Sequence, residues 1–304
     1  MELFHLKDNC YYLKGAVNIG LININDNAIL IDTGIDKQTA KNMEKIIKSK
    51  SWQVTHIINT HAHADHFGGS QYLKESFQAK VLAPKVEGII MEHPVYEPFY
   101  LFGGAHPINE LKNKFLQGSP VNIDEYIEPG PINIYEKTLE IVALPGHTMG
   151  QIGILFEDIL YLADAAFGPQ VLNKHGIPYF VDIDLQLKTL DYLETLNCSY
   201  YLPAHGELVT NIKDLTKENR QYIYNIANKI REILPGTTVE ILAKLLNSLK
   251  INVNNPGQYF LMQAATLAYI SYLNNTREIT WEITSNILKW KVNTQPEKYP
   301  AKTT

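Results

Sequence analysis

The sequence predicts a layered α/β protein with a small C-terminal helical extension, and three observations carry that prediction. Short apolar runs alternate with helical patterns over the first two thirds of its 304 residues. A Leu234-Pro-Gly-Thr237 break then interrupts the pattern. Beyond the break the order changes to helix, helix and hairpin.

Each element follows from local pattern. Residues 17–24 and 28–32 read as two strands joined by the Asn25-Asp26-Asn27 turn. Residues 37–48 carry Met43, Ile46 and Ile47 at helical spacing. Residues 54–58 form an apolar strand, 68–77 a helix and 79–82 a further short strand. From 84 to 131 the pattern lapses, with several prolines and a Gly103-Gly104 pair, as expected of a long substrate loop or lid. Strands resume at 139–144, 151–156 and 159–162, and helices are predicted at 184–196 and 215–233. The tail supplies helices at 239–249 and 257–273 and strands at 278–284 and 287–292, an order that resembles a winged-helix module. The predicted division is a main domain over 1–234 and the winged-helix-like domain over 235–304.

Composition bounds the function only loosely. With 45% hydrophobic and 19% charged residues the chain is an ordinary globular one. A net charge of −5 offers no basic footprint for nucleic acid. Two cysteines, Cys10 and Cys198, are too few for a disulfide framework or a thiolate cage and read as buried thiols in a reducing compartment. The N-terminus lacks a signal-like apolar stretch, and no apolar run approaches the roughly 20 residues of a membrane helix, so a cytoplasmic protein is expected.

The chemistry is concentrated at strand ends. His61-Ala-His63-Ala-Asp65-His66 falls where an apolar strand gives way to a helix. Imidazole and carboxylate together suit zinc, and also iron or manganese. Three further strand ends carry ligand-type residues: Leu144-Pro-Gly-His147, Tyr161-Leu-Ala-Asp164 and Tyr201-Leu-Pro-Ala-His205. A single loop histidine is commonly solvated or packed in a core, whereas four such loops in this order form a metal constellation.

These residues, with Asp32 in Ile31-Asp-Thr-Gly34, resemble the metallo-β-lactamase superfamily over roughly residues 15–210. The resemblance implies a four-layer αβ/βα sandwich with its site at the edge between two sheets. It implies two divalent ions, zinc by default. His61, His63 and His147 would hold the first ion, and Asp65, His66 and His205 the second, with Asp164 bridging and Asp32 orienting ligands from outside the ring. The run Asn59-Thr-His-Ala-His-Ala-Asp-His-Phe-Gly-Gly69 is similar to that of glyoxalase II-like thioester hydrolases. The implied activity is hydrolysis by a bridging hydroxide, since two cations lower the pKa of water from about 16 towards 7. Asp65 or Asp164 would relay the proton to the leaving group, and no Ser or Cys nucleophile is required.

The substrate is expected to be a small ester, thioester or lactone with an apolar portion, met by the aromatics Tyr96, Phe99, Tyr100 and Phe102 and by His175 at the rim. One alternative is a phosphodiesterase or RNA endonuclease of the winged-helix-tailed kind. The tail's mild excess of Lys and Arg is too sparse for strong phosphate binding. The non-enzymatic alternative is a winged-helix sensor of a metal or ligand. The tail hairpin offers an edge for a homodimer.

Overall fold

A computed structural model describes residues 1–294; the last ten residues of the expected tail domain, and the side chain of His175, lie outside the described residues. Seven strands form the first sheet in chain order: β1 (Glu2–Lys7), β2 (Cys10–Lys14), β3 (Ile19–Ile24), β4 (Asn27–Ile31), β5 (Gln53–Ile58), β6 (Lys80–Pro84) and β7 (Glu125–Ile127). Strands β1 to β4 run antiparallel and β4 to β7 parallel. A second sheet holds β8 (Gly130–Ile134), β9 (Lys137–Ala143), β10 (Ile152–Phe156), β11 (Ile159–Ala163) and β12 (Tyr200–Pro203), in the order β12-β11-β10-β9-β8.

Side-chain alternation builds the layers. On β3 and β4, Leu21, Ala28 and Leu30 face outward onto Met43, Ile47, Leu73 and Phe77 of α1 (Lys37–Ser49) and α3 (Ser70–Phe77). Their neighbours Ile22, Ile29 and Ile31 face inward, against Ile141, Ile152, Ile154 and Tyr161 of the second sheet. That sheet's other face, with Val142, Leu160 and Leu162, packs on α7 (Ile183–Leu193) and α8 (Ile212–Ile233). Helix, sheet, sheet and helix make the expected four-layer αβ/βα sandwich. Its crossovers start on good caps: the Asp36 side chain accepts from Thr39 N ahead of α1, and Asp182 from Leu185 N ahead of α7.

The 84–131 stretch is not a long loop, and that expectation is corrected. Between β6 and β7 it folds into α4 (Lys85–Glu92), α5 (Tyr96–Leu101) and a 3-10 turn at Asn109–Leu111. Two of its prolines stand at helix starts instead of breaking helices. Pro84 is the cap of α4, and Pro98 lies in the first turn of α5, where a missing N–H costs little.

After α8 come α9 (Thr238–Ser248) and α10 (Pro256–Asn275), then a hairpin of β13 (Ile279–Thr284) and β14 (Ile287–Val292). Thr237 and Glu240 close a reciprocal capping box that starts α9. Gly236 pairs with Trp290 of β14, tying the break to the hairpin. One continuous apolar cluster runs from β11 through α7 and α8 to Ile241, Leu245, Tyr269 and Leu273 of α9 and α10. Both cysteines are free and buried.

Candidate metal centre

Five strand ends converge on one point. Asp32 follows β4, His61 to His66 follow β5, His147 follows β9, Asp164 follows β11 and His205 follows β12. All are C-terminal ends of strands, where an α/β fold leaves its crevice. His63 caps α2 (Ala64–Phe67), which places Asp65 and His66 on the first turn. Glycine is required just after it. A Cβ on Gly68 would lie 2.0 Å from the Ile35 carbonyl oxygen, so only glycine lets this turn press against the end of β4. At Gly146 the φ is +132°, and a Cβ would meet the backbone of Gln186 at 2.5 Å.

The expected ligands come together. Ligand atoms of His61, His63 and His147 lie within 4.8 Å of one another, as do those of Asp65, His66 and His205. Asp164 sits between the groups: its carboxylate is 3.3 Å from His147 Nε2, 3.6 Å from His66 Nε2 and 3.7 Å from His205 Nε2. His205 Nε2 is 3.2 Å from Asp65 Oδ2.

Three atoms test the fit to metal. His61 Nε2, His66 Nε2 and Asp164 Oδ1 are buried and have no hydrogen-bond partner, and the three residues form one compact group. A folded protein rarely leaves one such atom orphaned, and three lone pairs at one point match a divalent cation's donor set.

The opposite ring nitrogens are fixed by hydrogen bonds. His147 Nδ1 donates to the Tyr179 carbonyl at 2.8 Å, which turns Nε2 toward His63 Nδ1, 2.8 Å away, within the cluster. His66 Nδ1 donates to Asp32 Oδ2 at 2.8 Å. Asp32 also accepts from Thr60 N and Oγ1, each at 2.8 Å, and Thr60 Oγ1 is 3.1 Å from His61 Nδ1. Asp32 thus bonds His66 directly and reaches His61 through Thr60.

Electrostatics divides the histidines. Burial holds His61 and His147 below the ordinary imidazole value, and burial with the neighbouring His147 takes His63 down to about 3. Burial also pulls on His66 and His205, but Asp164, with Asp32 and Asp65 for His66 and with Asp65 for His205, overcomes it and holds both above that value. Burial pushes the Asp65 and Asp164 carboxyls up, yet the surrounding histidines more than reverse it and keep both below the carboxylate range.

Sequence reasoning missed three supporting residues. Glu87, on α4 and 1% exposed, accepts from Ala62 N at 2.9 Å and from Thr148 Oγ1 and Gly150 N at 2.8 Å. One carboxylate thereby ties the His61–His66 loop to the His147 loop. Asn18 Nδ2 donates to the Pro203 and Gly206 carbonyls and anchors the His205 loop. Glu97, on α5 and 4% exposed, stands in the wall of the site, where burial first and then Asp65 and Glu87 raise its carboxyl well above the usual range.

Above the ligands lies a cavity of about 250 Å³, reached by His63, Asp65, His147, Asp164 and His205 at its floor. Phe115, Leu116, Phe167, Leu172, Leu261 and Met262 supply apolar walls. The expected aromatics are corrected here. Tyr96, Phe99 and Phe102 do not line it: Tyr96 is 47% and Phe99 40% exposed, and Phe102 packs edge-on against Phe260 of α10. Because the stretch is helical, its polar Glu97 turns inward while Tyr96 and Phe99 turn out. The Tyr100 hydroxyl reaches inward to pair with that of Tyr179, which does line the cavity.

Among the described residues no helix is long and apolar enough to cross a membrane.

The profile of the metallo-beta-lactamase superfamily matches residues 13–205. Curated relatives include "Lactamase-like protein adaB" of Aspergillus niger, 25% identical over 226 residues, covering 73% of this chain and 58% of that protein. "Beta-lactamase-like protein 2 homolog" of Caenorhabditis elegans is 23% identical, over 74% of this chain and 66% of that protein. A hydroxyacylglutathione hydrolase of Erythrobacter litoralis is 28% identical, over 73% and 79%. The chain thus spans less than two thirds of the first two relatives' length. Among solved structures, a metallo-beta-lactamase family protein from Thermus thermophilus superposes with a TM-score of 0.70 at 19% identity, covering 91% of this chain and 93% of that one. A beta-lactamase domain protein from Burkholderia ambifaria gives 0.72 at 16%, covering 96% and 93%. Those likenesses speak to the fold alone. With the profile spanning well over half of the chain, the protein belongs to the metallo-beta-lactamase superfamily.

Proposed function

We propose that this protein is a dinuclear metal hydrolase that cleaves a small ester, thioester or lactone with an apolar acyl part. The observation that carries the reading is the set of orphaned buried ligand atoms, with two ligand triads around Asp164, at the floor of an apolar cavity. His61, His63 and His147 would hold one ion and Asp65, His66 and His205 the other, with Asp164 shared. Such a pair, zinc by default, supplies Lewis-acid activation of water and of the scissile carbonyl near neutral pH.

The chain's own groups do the rest. Asp32 and the Tyr179 carbonyl fix ring orientation, which keeps the ligating nitrogens aimed at the centre. Asp65, whose side chain is 33% exposed on the cavity side, takes up a proton at Oδ2 with His205 as its neighbour. The apolar walls exclude water from the acyl part. Membership of the glyoxalase II-like branch rests on the Asn59–Gly69 run and on the distant hydroxyacylglutathione hydrolases.

We propose that the described part of the expected tail domain, residues 235–294, is a winged-helix-like module that serves this site as a wall. Its α10 lends Leu261 and Met262 to the cavity, which is opposite to presenting that helix to a nucleic-acid groove. No Lys or Arg lines the cavity among the described residues, and this favours a small neutral acyl group over a phosphodiester.

Metal analysis is expected to give two ions per chain, and a panel of thioesters, lactones, phosphodiesters and a short RNA is expected to yield turnover of a neutral acyl substrate alone. The His63→Ala and Asp164→Ala variants are expected to lose that turnover. Full activity after exhaustive chelation, or selective cleavage of the RNA, overturns the reading.

A further inference from the structure

Glu97 is the wall residue that the proposed hydrolysis does not use. Its side chain is buried, faces the cavity beside Tyr179, and receives no hydrogen bond from any described protein group. The other polar groups nearby are engaged. Tyr100 and Tyr179 pair with each other, and Glu87 holds Ala62, Thr148 and Gly150. Phe115, Leu116, Leu261 and Met262 offer Glu97 nothing to bond. With no protein partner, the carboxyl is left to bond whatever fills the cavity, and a ligand that displaces solvent there must supply a donor.

We propose that Glu97 is a specificity-determining residue whose carboxyl accepts a hydrogen bond from a hydroxyl or N–H group on the substrate's acyl portion. The proposal rests on the hydrolase reading for its acyl ligand. It adds to that reading which acyl groups fit: largely apolar ones with a single donor near the scissile carbonyl. The selectivity comes from the cost of leaving that group unmatched: a substrate without the donor fills the cavity but leaves the carboxyl without a partner.

The test uses binding, so it does not depend on turnover. The probes are hexanohydroxamic acid and its counterparts bearing a hydroxyl or an acetamido group on the third carbon. Each is titrated by calorimetry into zinc-loaded protein, wild type, Glu97→Gln and Glu97→Leu, with zinc content measured in every sample. For wild type the hydroxyl or acetamido probe is expected to bind at least about tenfold more tightly than the plain one. In Glu97→Leu the ratio of donor to plain probe is expected to fall to about one. Glu97→Gln keeps an accepting oxygen and adds a donor, so it is expected to retain part of the ratio. Taking ratios within each variant cancels a general loss of folding or zinc. An unchanged ratio in Glu97→Leu, no preference for the donor probes in wild type, or no binding of any probe overturns the proposal. Discrimination among the probes without cleavage of the matching esters and thioesters would instead count against the hydrolase reading alone.

Discussion

At the residue scale the centre depends on side chains that touch no ligand-binding point themselves. Asp32 holds His66 directly and His61 through Thr60, so removing its carboxylate frees two rings at once. Asp32→Ala is expected to weaken metal retention by about 10–100-fold, read as ions left per chain after dialysis against a graded chelator. Glu87→Leu, which unties the two loops, is expected to act in the same direction, and wild-type retention in both variants would refute this account. The clustered histidines and aspartates were legible in the sequence. Each follows an apolar strand, and packing alone gives a fold no reason to place histidine or aspartate after four such strands. Glu87 and Glu97 were not legible, because a lone glutamate in a helical stretch reads as part of a solvated face. What marks Glu87 is contact with residues 25, 61 and 63 positions away, which no local pattern encodes.

Elements carry a second kind of information. Helix α1 is joined to α3 by Glu44, which accepts from Lys48 on its own helix and from Tyr72 and Ser76 on the other. Those partners, Lys48 first, hold its carboxyl at about 2, against an ordinary value of 4.5. A depressed value in the folded state means the stabilisation is complete above the unfolded value. It drains away as pH falls from there through about 2. Glu44→Gln is therefore expected to lower stability by roughly 1–3 kcal/mol near neutral pH and by progressively less in acid, measured as the difference in urea midpoint between variant and wild type. A difference that stays constant down to low pH would exclude this pairing as its source. Strands and helices on either side of the 84–131 stretch were readable from periodicity, whereas α4 and α5 were not. Both are short, and prolines at their starts look locally like loop residues until the rest of the helix is seen.

For the molecule as a whole, the hairpin of β13 and β14 has a face that the described residues leave uncovered. Trp281 pairs across the strands with Trp290, and Ile283 with Leu288, on one face. Trp281 is 54% exposed, Ile283 60% and Leu288 40%. The described residues give β13 no strand partner other than β14. Pairing of two copies through this face is the expected outcome, measured by light scattering. The double variant Trp281→Lys, Ile283→Lys should shift the mass to a monomer, and a wild-type monomer at high concentration removes the idea. The four-layer architecture was readable from the sequence chiefly through resemblance. What the sequence did not reveal is that the tail's second helix would become a wall of the cavity, because Leu261 and Met262 look like any other apolar positions of a helix.

The convergence of five strand ends also sets an order of events for a newly made chain. His61 and His205 are separated by most of the main domain, and Asp32 and Asp164 belong to different sheets. Neither half alone holds a complete ion-binding set, since His147, Asp164 and His205 follow strands of the second sheet while His61, His63, Asp65 and His66 follow one of the first. On the proposed ligand assignment, metal would latch the halves together only after they have docked, through contacts of long sequence separation that form slowly. A cation-poor cell would then accumulate a docked but unlatched protein, and loading would be a late maturation step instead of a trigger for folding.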